Sequence, residues 1–157
     1  MLAAEYDTDE SFGATGMAYG PRTHSGTVHQ NALTNAQEIV RQKIKHSYKG
    51  VIDTYSESFG NNVGTDVRNK IERAGTQVID AVINDTKESQ VKFSSVDEKR
   101  NVNCYVGIRI NKEKLADEVT KAVKKVVTEE EEAKIRFDEA QFRNLNEKVF
   151  KDSKENK

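Results

Sequence analysis

NVNCYVGIRI, residues 101–110, is the stretch on which the fold turns. Val102, Cys104, Val106, Ile108 and Ile110 alternate without a break with Asn103, Tyr105, Gly107 and Arg109. A period of two places successive side chains on opposite faces, so this is a strand with one apolar and one polar face. Val91 and Phe93 alternate in the same way, and DEKRN, residues 97–101, is a polar turn between the two runs. Together they predict an antiparallel hairpin, the kind of sheet that packs one face on a core and wets the other.

On either side of the hairpin the period changes to that of a helix. From about His29 to Phe59, Leu33, Ala36, Val40, Ile44, Tyr48, Val51, Tyr55 and Phe59 recur every three or four residues and form one stripe. Gly50 weakens its middle and marks a candidate bend. FGNNVGTD, residues 59–66, is a turn, and Thr65 or Asp66 can cap a second helix. Val67, Ile71, Ala74, Val78 and Val82 form the stripe of that helix, ended by Asn84 and Asp85, so the two helices predict a helical hairpin. After the strand, Asn111 can cap a third helix with Leu115, Val119, Ala122, Val123 and Val126 on its apolar side. Thr128 with Glu131 makes a capping box for a fourth, about 129–150, carrying Ile135, Phe142, Leu145 and Val149.

At the other end of the chain, FGATGMAYG, residues 12–20, is too glycine-rich for a helix and is followed by Pro21. It fits a strand whose glycines admit another backbone closely. Residues 21–28 predict a loop. The expected architecture is α+β, with a small antiparallel sheet of about three strands packed against long amphipathic helices. The order is β-α-α-β-β-α-α. One domain is expected over residues 12–150, between a disordered segment 1–11 and a disordered tail 151–157.

The composition bounds the function. The 157 residues suit one domain, with 35% hydrophobic and 32% charged residues. Lys plus Arg is 25 and Asp plus Glu 26, a net charge of −1, which offers no global basic field to nucleic acid. No apolar run approaches the ~18–20 residues of a membrane span. One cysteine excludes an internal disulfide. Met1 to Glu10 carries neither a basic nor an apolar targeting region, so the protein is cytoplasmic or its targeting segment lies upstream.

The search for chemistry is mostly negative. Cys104 lies on the apolar face of its strand, where a small buried hydrophobe is expected and an activated thiol is not. His24, His29 and His46 have no ligand-spaced partner and are expected at the surface. The glycine-rich segment lacks the spacing of a phosphate loop. Glu129 to Glu132 suits a helix start through the helix dipole. Lys112, Lys114, Lys121, Lys124 and Lys125 make a basic helix, expected to be a solvated face. No catalytic residues, cofactor or metal are expected, and the chain is read as non-enzymatic. Tyr105 and Arg109, on the polar face of the best strand, are the candidate partner surface if that face is open, and plain packing if helices cover it.

Three stretches resemble the LPP-twenty small lipoproteins of bacterial envelopes. They are GATGMAYG, the helix NALTNAQEIVRQKIKHSYKGVID with its small-residue start at Ala32 and Ala36, and NVNCYVGIRI with KEKLADEVTKAV behind it. They span about residues 12–126. The resemblance implies an exported domain facing the periplasm or on the outer membrane, held through an N-terminal lipidated cysteine. No such cysteine precedes Glu5, so the anchor is expected upstream of residue 1. The family supplies no catalytic motif. The expected function is thus a non-catalytic envelope lipoprotein domain with a structural or protein-interaction role and an envelope protein as partner. The alternative is a periplasmic ligand-binding module with a pocket between sheet and helices. Nucleic acid is not an expected partner, and self-association stays open.

Overall fold

A computed structural model describes residues 7–59, 65–127 and 139–152. Strand β1 is Ser11–Pro21, and after a single 3-10 turn at Arg22–His24 the chain enters α1, Ser25–Phe59. Helix α2 is Thr65–Asp85, strand β2 is Gln90–Phe93 and strand β3 is Asn101–Asn111. Helices α3, Lys112–Val127, and α4, Glu139–Asp152, complete the order. The fold is α+β with four α-helices among the described residues, in the expected order.

The sheet runs β1-β3-β2, all antiparallel, with the alternating strand in its centre. β1 pairs with β3 along its whole length, from Ser11 opposite Asn111 to Pro21 opposite Asn101. That register puts Phe12, Ala14, Gly16, Ala18 and Gly20 on the same face as Val102 through Ile110. Helix α1 lies along this face, antiparallel to β1. Ala32 and Ala36 sit on Gly16, and Val28 sits on Gly20. Small residues on both sides bring helix and strand backbones together, the close approach the glycine-rich strand predicts. The contact also explains why α1 begins at Ser25 and not at His29: Val28 is buried, so tertiary packing recruits the first turn despite Gly26.

The second half of α1 leaves the sheet and joins the other helices. Arg41 Nε donates to Asp80 at 3.0 Å, Tyr48 hydroxyl donates to the Ile71 carbonyl at 2.6 Å, and Arg68 pairs with Asp53. These contacts make α1 and α2 the expected antiparallel hairpin, and α1 continues through Gly50. Helix α3 is capped as expected, with Asn111 Oδ1 accepting the Lys114 N–H at 2.8 Å. It packs on α2 through buried Leu115, Val119 and Val123. Helix α4 runs antiparallel to α3, with Lys124 paired to Glu139 at 2.8 Å and Arg143 to Asp117. Its Phe150 meets Phe12 edge-on at 5.3 Å, closing one core across sheet and helices. Each such ring contributes roughly 1.5–3 kcal/mol by leaving water.

Four further expectations change. The polar start is tied down from Asp7, which is buried and accepts the Gly13 N–H, while Lys112 N–H donates to the Glu10 carbonyl at 2.9 Å. Lys151 and Asp152, expected in the loose tail, complete α4. Lys112 is not on a solvated face: it is buried, its ammonium 4.9 Å from the centre of the Phe12 ring. Val91 and Phe93 are apolar in pattern yet 37% and 44% exposed, because β2 is an edge strand and α1 spans β1 and β3. The Thr128–Glu131 capping box, the glutamate run and Ile135 lie outside the described residues.

Candidate functional site

The face of the sheet opposite α1 carries the odd-numbered residues of β1 and β3 and the even-numbered residues of β2. One row across the strands is Met17, Tyr105 and Lys92. The next rows are Tyr19 with Asn103, Thr15 with Gly107 and Gln90, and Gly13 with Arg109. This face meets solvent. Met17 is 52% exposed and Tyr19 54%, Gln90, Lys92 and Arg109 are exposed, and Tyr105 is half-buried among its neighbours. No carboxylate lies among the strand residues of this face. Of the two residues singled out by sequence, both are therefore on an open surface, four positions apart on β3, with Gly107 between them. The sequence alone does not single out Met17, Tyr19 and Lys92. Their signal is the same alternation, but only strand order shows that they flank Tyr105.

Tyr19 also ties the sheet to its turn. Its hydroxyl donates to Asp97 Oδ2 and accepts from Asn101 Nδ2 at 3.0 Å. The other Asp97 oxygen accepts the N–H groups of Lys99 and Asn101, both at 2.9 Å. The turn closes with Arg100 at φ 61°, a left-handed residue held by bonds on both sides. Donation from Tyr19, helped by the Asn101 N–H, holds the Asp97 carboxyl below the usual carboxylate range. The Asp97 bond in turn raises the Tyr19 hydroxyl above its ordinary value. Asp97 then adds stability above the unfolded carboxylate pKa, near 4, which is lost as pH falls through its lowered folded value. Tyr19 adds stability below about pH 10, lost as pH rises through its raised value. In Tyr19→Phe the Asp97 carboxyl is expected to titrate at higher pH than in the parent, checked by carbon NMR of the carboxylate. An unchanged midpoint would show that the turn, and not Tyr19, sets it.

Arg109 borders a second feature. A cleft of about 640 Å³ lies between the end of β3, the C-terminal part of α2 and the start of α3. Val78, Val82 and Leu115 supply its apolar wall, and Asp85, Glu118, Arg109 and Lys114 its charges, two of each sign. It exists because β2 begins opposite Gly107, so among the described residues no strand continues the sheet on the β2 side of Arg109 and Asn111. Tyr105 is not among its lining residues, so the two candidate residues share a face but not this cleft.

Cys104 and His29 sit in packed settings, while His24 and His46 are exposed. Cys104 is fully buried on the core face, its thiol pushed up by burial and then by the charge of Glu88. His29 is half-buried, 3.7 Å from Glu88. Among the described residues, no three His, Cys, Asp or Glu are placed to hold a metal ion. No described helix is long and apolar enough to cross a membrane. In comparisons with known proteins, the chain matches no family model and no curated sequence.

Proposed function

We propose that this chain is a non-catalytic interaction domain of the bacterial cell envelope that binds a protein partner through the open face of its sheet. The observation that carries the binding role is the row Met17–Tyr105–Lys92 with Tyr19 beside it, where Met17 and Tyr19 are each more than half exposed. Aromatic residues, methionine and arginine are the types enriched where proteins meet, and Arg109 completes that set. The envelope part rests on the resemblance of residues 12–126 to the small lipoproteins, and the lipid anchor would lie upstream of residue 1.

The test is photo-crosslinking in cells with a reactive amino acid at position 17 or 105, and at exposed Lys121 on α3 as the control. Positions 17 and 105 are expected to capture one common envelope protein that position 121 does not. Identical capture at all three sites, or none at 17 and 105, would overturn the reading. Labelling the full gene product with a lipid precursor tests the anchor separately, and an unlabelled product would remove it.

The cleft beside Arg109 supports a second reading, a periplasmic module for a small ligand with an apolar part and a zwitterionic part. Val78, Val82 and Leu115 would bury the first; Arg109 and Lys114 would pair the anionic group of the second, and Asp85 and Glu118 its cationic group. A thermal-shift screen of envelope-derived small molecules should then give hits that Arg109→Gln removes. Hits unaffected by that change would discard this site.

A further inference from the structure

The two edges of the sheet are not alike. An edge strand presents unpaired N–H and C=O groups, and proteins commonly cover them. The outer edge of β1 is bridged at two positions: Asn35 Nδ2 donates to the Met17 carbonyl at 2.7 Å and Lys43 Nζ to the Gly13 carbonyl at 3.1 Å. Asp7 accepts the Gly13 N–H at 3.3 Å, which closes the same edge again.

Among the described residues, the outer edge of β2 is bare. Ser94 N–H donates to the Asn103 carbonyl at 2.9 Å, in step with Phe93 opposite Cys104. In an antiparallel ladder, backbone groups alternate in direction. Gln90, Lys92 and Ser94 therefore turn theirs toward β3, and Val91 and Phe93 turn theirs outward. Among the described residues nothing bonds Val91 or Phe93 on that outer side. Their side chains lie on the α1 side of the sheet, 37% and 44% exposed, with Val96 at 41% just beyond. Lys92 points the other way, next to Tyr105, and has no ion-pair partner among the described residues.

Outward backbone groups at strand spacing recognise one chemistry, an extended polypeptide. A second copy of this chain is the poorer fit. A two-fold pairing that sets Val91 against Phe93 of the other copy also sets Lys92 directly against Lys92, and like charges opposite one another destabilise a sheet. We propose that β2 accepts an extended segment of a partner protein as a fourth strand, apolar at alternate positions and acidic at the position opposite Lys92. The apolar residues pack on Val91 and Phe93 beside α1, and the acidic one pairs with Lys92 on the open face. Lys92 thus disfavours self-pairing and selects the partner with one charge.

The probe is a capped heptapeptide alternating valine with glutamate, compared with one alternating valine with lysine. The readout is amide hydrogen exchange of the folded full chain by NMR. With the glutamate peptide, Val91 and Phe93 are expected to exchange at least about tenfold more slowly, while the lysine peptide has little effect. Lys92→Glu should reverse that preference. Val91→Pro removes an outward-facing donor and part of the apolar contact but no ladder bond to β3, and should abolish protection of Phe93 while the β3 amides stay protected. If Val91→Pro disturbs β3, Lys92→Glu alone decides the matter. Unchanged exchange at Val91 and Phe93 overturns the proposal. So does equal binding of the two peptides, or protection that rises with protein concentration in the absence of peptide. Shifts confined to Met17, Tyr19 and Tyr105 would also overturn it, leaving the open face as the only interaction surface.

Discussion

Gly16→Ala is expected to destabilise the domain by about 4 kcal/mol or more, a large part of the ~5–15 kcal/mol that holds a domain folded. A Cβ at residue 16 would overlap the Ala32 carbonyl oxygen and the Ala36 nitrogen, and would lie 2.9 Å from the Ala36 Cα. All three are backbone atoms of α1, so no rotamer change relieves the clash. The helix must lift from the sheet, and that uncovers Ala14, Val106 and Ile108, all fully buried. Ordinary overpacking costs about 1–3 kcal/mol because side chains give way. Gly20→Ala supplies the contrast: its Cβ would approach Val28 Cγ2 at 2.7 Å, a side-chain atom that can shift. In urea titrations followed by circular dichroism, Gly16→Ala should be unfolded or nearly so without denaturant. Gly20→Ala should keep a clear folded baseline. Equal midpoints for the two would refute the backbone contact between α1 and β1.

Phe142→Ala is expected to cost about 3–5 kcal/mol, the usual range for deleting a fully buried ring. Phe142 is the anchor of α4. It has no exposed surface, and its ring meets Tyr55 of α1 edge-on, 5.2 Å between centres and 86° between planes. On the same buried side of α4 lie Asn146 and Phe150. Removing the ring leaves a void between α1 and α4 that those neighbours fill poorly, since Phe150 is held against Phe12. The loss should also be local first. Amide exchange of residues 139–152 should accelerate well before that of Val102 to Ile110, because α4 touches α1 and α3 whereas β3 lies at the centre of the sheet. A loss below about 1 kcal/mol would mean that α4 does not dock through this residue.

Both effects arise where local sequence pattern meets a contact that no local pattern contains. The stripe of α1 predicts which residues of that helix are buried, and Val40, Ile44, Tyr48, Val51 and Tyr55 are. It does not say that Ala32 and Ala36 face a strand while Tyr55 faces another helix. The same gap governs the candidate surface. Tyr105 and Arg109 are legible because they oppose the apolar set on one strand. Met17 and Tyr19 become part of the surface only through eleven residues of pairing between β1 and β3. Lys112 illustrates the opposite error. Its position at a helix start and its charge point to solvent, yet the chain entering β1 and the ring of Phe12 close over it.

The sequence by itself therefore determined everything that repeats along the chain. That includes the helical stripes, the alternation from Val102 to Ile110, the Asn111 cap and the α+β order. These arise from backbone geometry within a few residues, and the side-chain period reports it directly. Only the tertiary structure decided which faces stay wet and which edge stays bare. β3 became central because β1 pairs on one side of it and β2 on the other, and a helix about 10 Å across covers no more than about two strands spaced roughly 4.8 Å apart. Val91 and Phe93 carry the same alternation as their buried neighbours and lie outside that cover. Their exposure is set by strand order and the width of α1, which no local period encodes.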